Sequence, residues 1–357
     1  MIQVRPATDE DRDGWQTHLA RCASGDFLHD WGWADVAAHD GQPQRRFVAI
    51  QDGDVVAIVA AQVRALPLGR TFWYVPHGPV MDYAHPRAAE RLRAVAIGLR
   101  AAARRSGAIA VKLEPRIERG SAETLPFARL RHDPRTLQVG QTRLVPLTDD
   151  DALLASFDKD TRYAVRRAGR EGVSVRAISD ATDVAAIDRL HGLVLETQRR
   201  AGFPRPPLER YRIAWARLGQ AGRATIFEAS AGGDLLASGM LVTEGDRSFY
   251  LFAGSRREEP GETKRYASYL LQWQMMRHAR AAGCREHDLW GIAPHNAGPD
   301  HPWYGVGLFK KGFGGRAVVW AGTWDVVVHP TLYRLRASAD RARLLSRQLV
   351  SALRSRE

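Results

Sequence analysis

A chain of 357 residues, 45% of them apolar, has the material for about two domains with sizeable cores. No apolar run approaches the ~20 residues of a membrane span, the opening "MIQVRPATDEDRDGW" lacks a signal-peptide core, and two distant cysteines, Cys22 and Cys284, argue for a reducing cytoplasm and against a disulfide framework or zinc site. The net charge of +12, mostly from arginine, favours an anionic partner: RNA, a phosphorylated substrate or an acidic lipid surface.

Taken in chain order, the first feature is "HDWGWADVA". Trp31 and Trp33 stand two residues apart and offer either core packing or a surface for a sugar or uracil ring. "RRFVAIQDG", "DVVAIVAAQVRAL" and "TFWYVP" predict three strands joined by turns. "HPRAAERLRAVAIGLRAAARRSG" places Ala89, Leu92, Val95, Ala96, Leu99 and Ala103 at helical spacing and ends at Gly107. "AIAVKLEP" is the next strand. In "DKDTRYAVRRAGREG", Arg162, Arg166 and Arg170 recur every four residues on one helix face, with Ala164, Val165 and Ala168 turned to the core. Such a stripe suits phosphates, because guanidinium groups bind them in a planar fork.

The pattern then repeats. "RATIFEAS", "DLLASGMLVTEG" and "RSFYLFAGS" predict three strands, "TKRYASYLLQWQMMRHARAAG" a helix and "EHDLWGI" a strand. Tyr74 to Tyr250 spans 176 residues, Arg87 to Lys264 spans 177, and Val111 to Asp288 spans 177. A period of this length is a duplicated domain. The expected division is 1–147 for the first unit and 148–330 for the second, which would carry the catalytic cleft. The basic amphipathic segment 331–357 would return to the first unit, with Leu332, Leu335, Ala342, Leu345 and Leu349 as its seam.

The order of elements resembles the acetyltransferase-like (GNAT) fold, in tandem: an α/β (α+β) architecture with mixed, mostly antiparallel sheets and flanking helices. Enzymes of that fold hold coenzyme A phosphates on a Gly-rich turn before the crossing helix. Here those positions read "DYAHPRAAE" and "ETKRYASY", which implies a different acyl donor. "GLFKKGFGG", Gly307–Gly315, misses the Walker spacing because Phe313 follows Gly312, and misses the dinucleotide spacing because Lys310 replaces the third glycine. Its glycine frame predicts a tight turn carrying two lysines.

"DKDTRYAVRRAGREGVSV", "HDLWGI" and "GLFKKGFGG", in this order, resemble the Fem family of tRNA-dependent aminoacyltransferases of peptidoglycan bridge formation, and "YVPHGPVMDY" looks like that family's Pro-Arg-Gly-Pro segment. The resemblance covers nearly the whole chain and points to the short, FemX-like type without a coiled-coil arm. It implies transfer of an amino acid from aminoacyl-tRNA, as co-substrate, to a stem-peptide amine of a precursor such as UDP-MurNAc-pentapeptide or lipid II. No metal or other cofactor is implied, and the protein would work in the cytoplasm or against the inner membrane surface. Four positions depart from the family pattern: His29 and Asp30 replace Gln-Ser, Ala37 stands where a lysine is expected and His77 replaces an arginine. A natural-product peptide as acceptor therefore stays open, as does a coenzyme A-dependent N-acyltransferase or a non-catalytic RNA- or envelope-associated module.

The resemblance assigns Lys310 to the chemistry, since an ammonium beside a developing oxyanion lowers the barrier by several kcal/mol. Asp82, at a strand end, is the candidate proton acceptor for an amine that begins near pKa 10.4. Arg205 in "GFPRPP", Tyr250, Trp33, Phe309 and Asp288 are substrate-binding candidates. Arg162, Arg166, Arg170 and Lys311 are candidates for tRNA phosphates.

Overall fold

The computed structural model describes residues 1–121, 130–201, 206–257, 263–294 and 296–338. The first unit runs β1 (Ile2–Pro6), α1 (Arg12–Arg21), α2 (Trp33–His39), β2 (Gln44–Gln51), β3 (Asp54–Ala65), β4 (Thr71–His77), β5 (Val80–Met81), α3 (Ala88–Arg105), β6 (Ala108–Pro115) and β7 (Arg131–Asp133). The second runs β8 (Gln141–Pro146), α4 (Asp150–Ser156), α5 (Lys159–Arg170), β9 (Ser174–Ile178), α6 (Val184–Ala201), α7 (Leu208–Gln220), β10 (Ala224–Ala231), β11 (Asp234–Glu244), β12 (Arg247–Ser255), α8 (Ala267–Ala281), β13 (Glu286–Gly291), α9 (Tyr304–Gly312) and β14 (Arg316–Val319). A last strand, β15 (Thr323–Val327), precedes helical residues 330–338.

The strands form two sheets, ordered β1-β2-β3-β4-β6-β15-β7, with β5 beside β3, and β9-β10-β11-β12-β13-β8-β14. Position by position the orders correspond. Each sheet has one parallel pair, β4 with β6 and β12 with β13, and is otherwise antiparallel. The duplication read from constant offsets is thus a duplication of topology.

The sheets exchange strands. β8, which follows the first unit, inserts between β13 and β14 of the second sheet; β15, which follows the second unit, inserts between β6 and β7 of the first. The sheets therefore divide the chain at points other than 147/148 and 330/331: Gln141–Pro146 lies in the second sheet and Thr323–Val327 in the first. Of the tail seam, Leu332 packs beside Phe72 and Tyr74, with the Tyr333 hydroxyl donating to Asp325 at 2.5 Å. Leu335 instead faces solvent, and Ala342, Leu345 and Leu349 lie outside the described residues.

Local sequence accounts for helices that frame both sheets. In α5, Asp158 caps the N-terminus by accepting from the Thr161 amide at 2.6 Å, and Ala164, Val165 and Ala168 are buried against α8. In α3, Leu92, Val95, Leu99 and Ala103 are fully buried on the first sheet, and the chain leaves the helix through Gly107 at φ 74°. The core between the units is shared. Phe27, Trp33 and Val36 from the first unit pack with Tyr211, Trp215 and Phe249 of the second. Among the described residues, no helix is long and apolar enough to cross a membrane.

Candidate active site

The parallel pair of the second sheet supplies the opening. β12 and β13 are paired only at Arg247–Glu286, Ser248–His287 and Phe249–Asp288, after which they separate. A register break on each strand marks the separation, at Met240/Leu241 against β12 and at Asp288/Gly291 against β8. Tyr250 lies just past the last pair, partly buried, and burial raises its phenol pKa.

Lys310 reaches into this opening. The segment expected to be a turn is instead the helix α9, and only Gly314 and Gly315 beyond it take the left-handed backbone of a turn, at φ 72° and 65°. Packing overrides the low helix propensity of glycine here: Phe309 contacts Tyr269 and Phe313 with ring centroids 5.1 Å apart. Gly312 has no room for a Cβ, which would come 2.1 Å from the Thr161 hydroxyl of α5. α9 buries Lys310 to 7% exposure, and its ammonium donates to the Gly291 carbonyl at 2.7 Å. Burial lowers its pKa to about 8, with the Asp288 carboxylate opposing the fall. The Tyr250 ring lies 5.9 Å from the amine. Lys311 is exposed on the same helix.

Asp288 sits behind the amine. It is 1% exposed and accepts hydrogen bonds from the Thr142 hydroxyl, from the Trp290 amide at 2.8 Å and from Arg116 of the first unit at 3.0 Å. Arg116 is also buried, and burial opposes its charge, but Asp288, Asp26 and Glu286 together raise its pKa above the ordinary value. Asp26 accepts from or pairs with His77 at 2.7 Å; burial opposes its ionisation, yet His77 and Arg116 hold its pKa below the ordinary range. His287, beside Lys310, is neutral: burial and then the Lys310 charge lower its pKa to about 3, and it shares hydrogen bonds with Ser248 and Gln272.

The other candidates fall in different places. Asp82 is an exposed turn residue that accepts from the Ala84 amide at 2.9 Å; its titratable neighbours are His18 and Cys22, and the carboxylate that Lys310 feels is Asp288. The three-arginine stripe is reduced to two. Arg162 turns back to donate to the Ala155 and Phe157 carbonyls at the end of α4, while Arg166 and Arg170 are exposed. Trp33 is core, 5.0 Å from Phe27, whereas Trp31 packs on Trp15 and carries Arg46 3.9 Å above its ring, so the two indoles do not share a surface. Arg205 lies outside the described residues. Arg116 and the Gly291 carbonyl carry no local sequence signal: the first belongs to the other unit, and the second is backbone.

Two grooves flank the opening. One, of about 530 Å³, lies where β12 ends and α8 begins, lined by Arg256, Arg257, Lys264, Tyr266 and Tyr269. The aromatic series Tyr163, Tyr266, Tyr269 and Phe309, with successive centroids 6.0, 6.1 and 5.1 Å apart, runs from exposed Tyr163 to the residue next to Lys310. The other groove, of about 640 Å³, is lined by Arg119, Arg135, Gln138, His301, Trp303 and Trp320 on the far side of Gly291.

Comparison with known proteins gives consistent matches. The model of the FemAB family matches residues 11–123 and 220–341, more than half of the chain. A lipid II:glycine glycyltransferase of Staphylococcus saprophyticus is 23% identical, with 87% of this chain and 90% of that protein covered. A UDP-N-acetylmuramoylpentapeptide-lysine N(6)-alanyltransferase of Weissella viridescens is 25% identical over 78% of this chain and 83% of that protein. The crystal structure of FemX superposes with a TM-score of 0.82 at 21% identity, covering 93% of this chain and 99% of that one.

Proposed function

The chain belongs to the FemAB family, and from that premise we propose that it is an aminoacyltransferase of cell-wall cross-bridge formation, which moves an amino acid from a charged tRNA to a stem-peptide amine of a peptidoglycan precursor. The single observation that carries the chemistry is the buried ammonium of Lys310 at the mouth of the β12–β13 opening.

The acceptor amine attacks the ester carbonyl of the aminoacyl-tRNA. The new C–N bond forms as the carbonyl oxygen takes up negative charge, then the C–O bond to the terminal ribose breaks and the ribose oxygen receives the proton lost by the amine. The ester is already activated, so the step calls for no bound cofactor. Lys310, held in a site from which water is largely excluded, stabilises the oxyanion more strongly than the same charge would in water. The donor's 3′ end fits the groove at the start of α8, where aromatic faces for unpaired bases alternate with arginine and lysine for phosphates. Arg166 and Arg170 extend that cationic face along α5. Such an enzyme works in the cytoplasm, and with a lipid-linked acceptor it works against the membrane face.

Incubation with a mixture of charged tRNAs and either UDP-MurNAc-pentapeptide or lipid II, with the product read by mass, tests the proposal. A precursor heavier by one amino-acid residue, formed only while the RNA is intact, is the expected result. Transfer that survives RNase and requires an acyl-coenzyme A overturns it.

A further inference from the structure

We propose that Arg116 is a positioning residue for the transfer reaction: from the end of β6 in the first sheet it clamps Asp288, and through Asp288 it fixes both the backbone turn that aims the Gly291 carbonyl at Lys310 and the charge beside that amine. The inference rests on the role given to Lys310 above.

The geometry is a chain of three contacts. Arg116 donates to one oxygen of Asp288 at 3.0 Å. The other oxygen accepts from the Thr142 hydroxyl of β8 and from the Trp290 amide. Trp290 has φ 61°, a conformation that a bulky residue holds only when its surroundings impose it. The Asp288 bond to its amide, its ring against Phe27 at 5.2 Å and against His77 at 5.5 Å supply that constraint. The left-handed residue turns the strand, and Gly291, the next residue, presents its carbonyl to Lys310 at 2.7 Å. Gly291 itself has no slack, since a Cβ there would meet the Trp303 ring at 2.5 Å and Val139 at 2.7 Å.

The same contacts set the local field. The groups facing Lys310 are His287 and Asp288 from β13 and Tyr250 from β12, with Lys311 outward on its own helix; Asp158, at the start of α5, lies against Gly312 of the same helix. Asp288 is the acid that raises the amine's pKa against burial. Arg116 offsets that acid, and is itself enclosed by Asp26, Glu286 and the Trp320 and Phe249 rings. A charge from the first unit thus governs how strongly the second unit's acid acts on its lysine.

The test uses the full-length protein and competitive acetylation with acetic anhydride from pH 6 to pH 11. Mass spectrometry reads labelling of Lys310 against exposed Lys311. With Arg116→Gln, Asp288 is left uncompensated and the titration midpoint of Lys310 rises by about one pH unit. With Asp288→Asn it falls. With Arg116→Lys, which keeps the charge, it stays near that of the parent. In the transfer assay, Arg116→Gln lowers kcat at least about tenfold with acceptor KM within about twofold, and Arg116→Lys restores most of the rate. A midpoint that stays put or falls in Arg116→Gln overturns the proposal. Should that variant fail to fold, a parent-like midpoint in Asp288→Asn overturns it instead. The labelling needs no transfer assay. Shifts in the expected directions from a protein that transfers nothing count against the aminoacyltransferase function, not against the clamp.

Discussion

In the first unit the parallel pair β4–β6 runs from Thr71 to His77 and holds one register from Trp73 onward, whereas in the second β12–β13 is paired only from Arg247 to Phe249 and then parts. Equivalent positions explain the difference. Tyr74 corresponds to Tyr250, and Glu114 to Gly291, at the same 176- and 177-residue offsets. In the first unit the Tyr74 hydroxyl donates to Glu114 at 2.7 Å, and Glu114 also accepts from the Leu137 and Gln138 amides at 2.9 and 3.1 Å. A buried carboxylate with three donors closes that seam. In the second unit a glycine stands at the glutamate's position, the strands separate, and the Lys310 ammonium bonds that glycine's carbonyl. The comparison teaches that a duplicated fold can diverge at one position: the copy with the acid keeps its parallel seam paired, and the copy without it opens.

The variant that breaks this contrast most severely is Lys310→Ala. It should lower the transfer rate on the order of 10²- to 10³-fold with little change in acceptor affinity, as read by single-turnover kinetics beside a binding isotherm. Equal rates with weaker binding would move Lys310 out of the chemistry.

Glu114→Ala should do the reverse. Loss of the buried acceptor removes the carboxylate shared by the Tyr74 hydroxyl and the Leu137 and Gln138 amides, at a cost of about 2–3 kcal/mol in stability, while kcat stays near that of the parent. Denaturant unfolding checks the first statement and the transfer assay the second.

The smallest effect sharpens the comparison from the other side. Lys310 has a lowered folded-state pKa, so the unfolded chain binds more protons between pH 8 and about 10.4. The stability penalty is fully present below pH 8 and is relieved as pH rises through that window. Lys310→Met should therefore raise stability by about 1–3 kcal/mol at pH 7, and the gain should shrink through that window and vanish above about pH 11. A constant gain across that range would mean that packing, not charge, is responsible.

The sequence reveals the duplication, because strand alternation and helical periodicity recur at constant offsets and are local properties. It reveals the central strands and α3, α5 and α8 for the same reason. Partner choice in a sheet is not local, so nothing in "QTRLVP" or "TWDVV" tells which sheet each enters. The motif draws attention to Lys310, but its burial depends on Phe309, Tyr269 and Gly312 meeting α5 and α8. Arg116 and Asp288 lie 172 residues apart, beyond any pattern.

The exchange of β8 and β15 also orders events during synthesis. β15 lies between β6 and β7, so while the second unit is still being translated the emerging first unit has a gap where that strand belongs. Its unpaired edges stay open until Thr323–Val327 leave the ribosome, and nascent domains normally fold in sequence as they appear. The second sheet closes with β14, but the first waits for β15, so the earlier copy is the later one to be finished and its completion depends on synthesis of the whole second half.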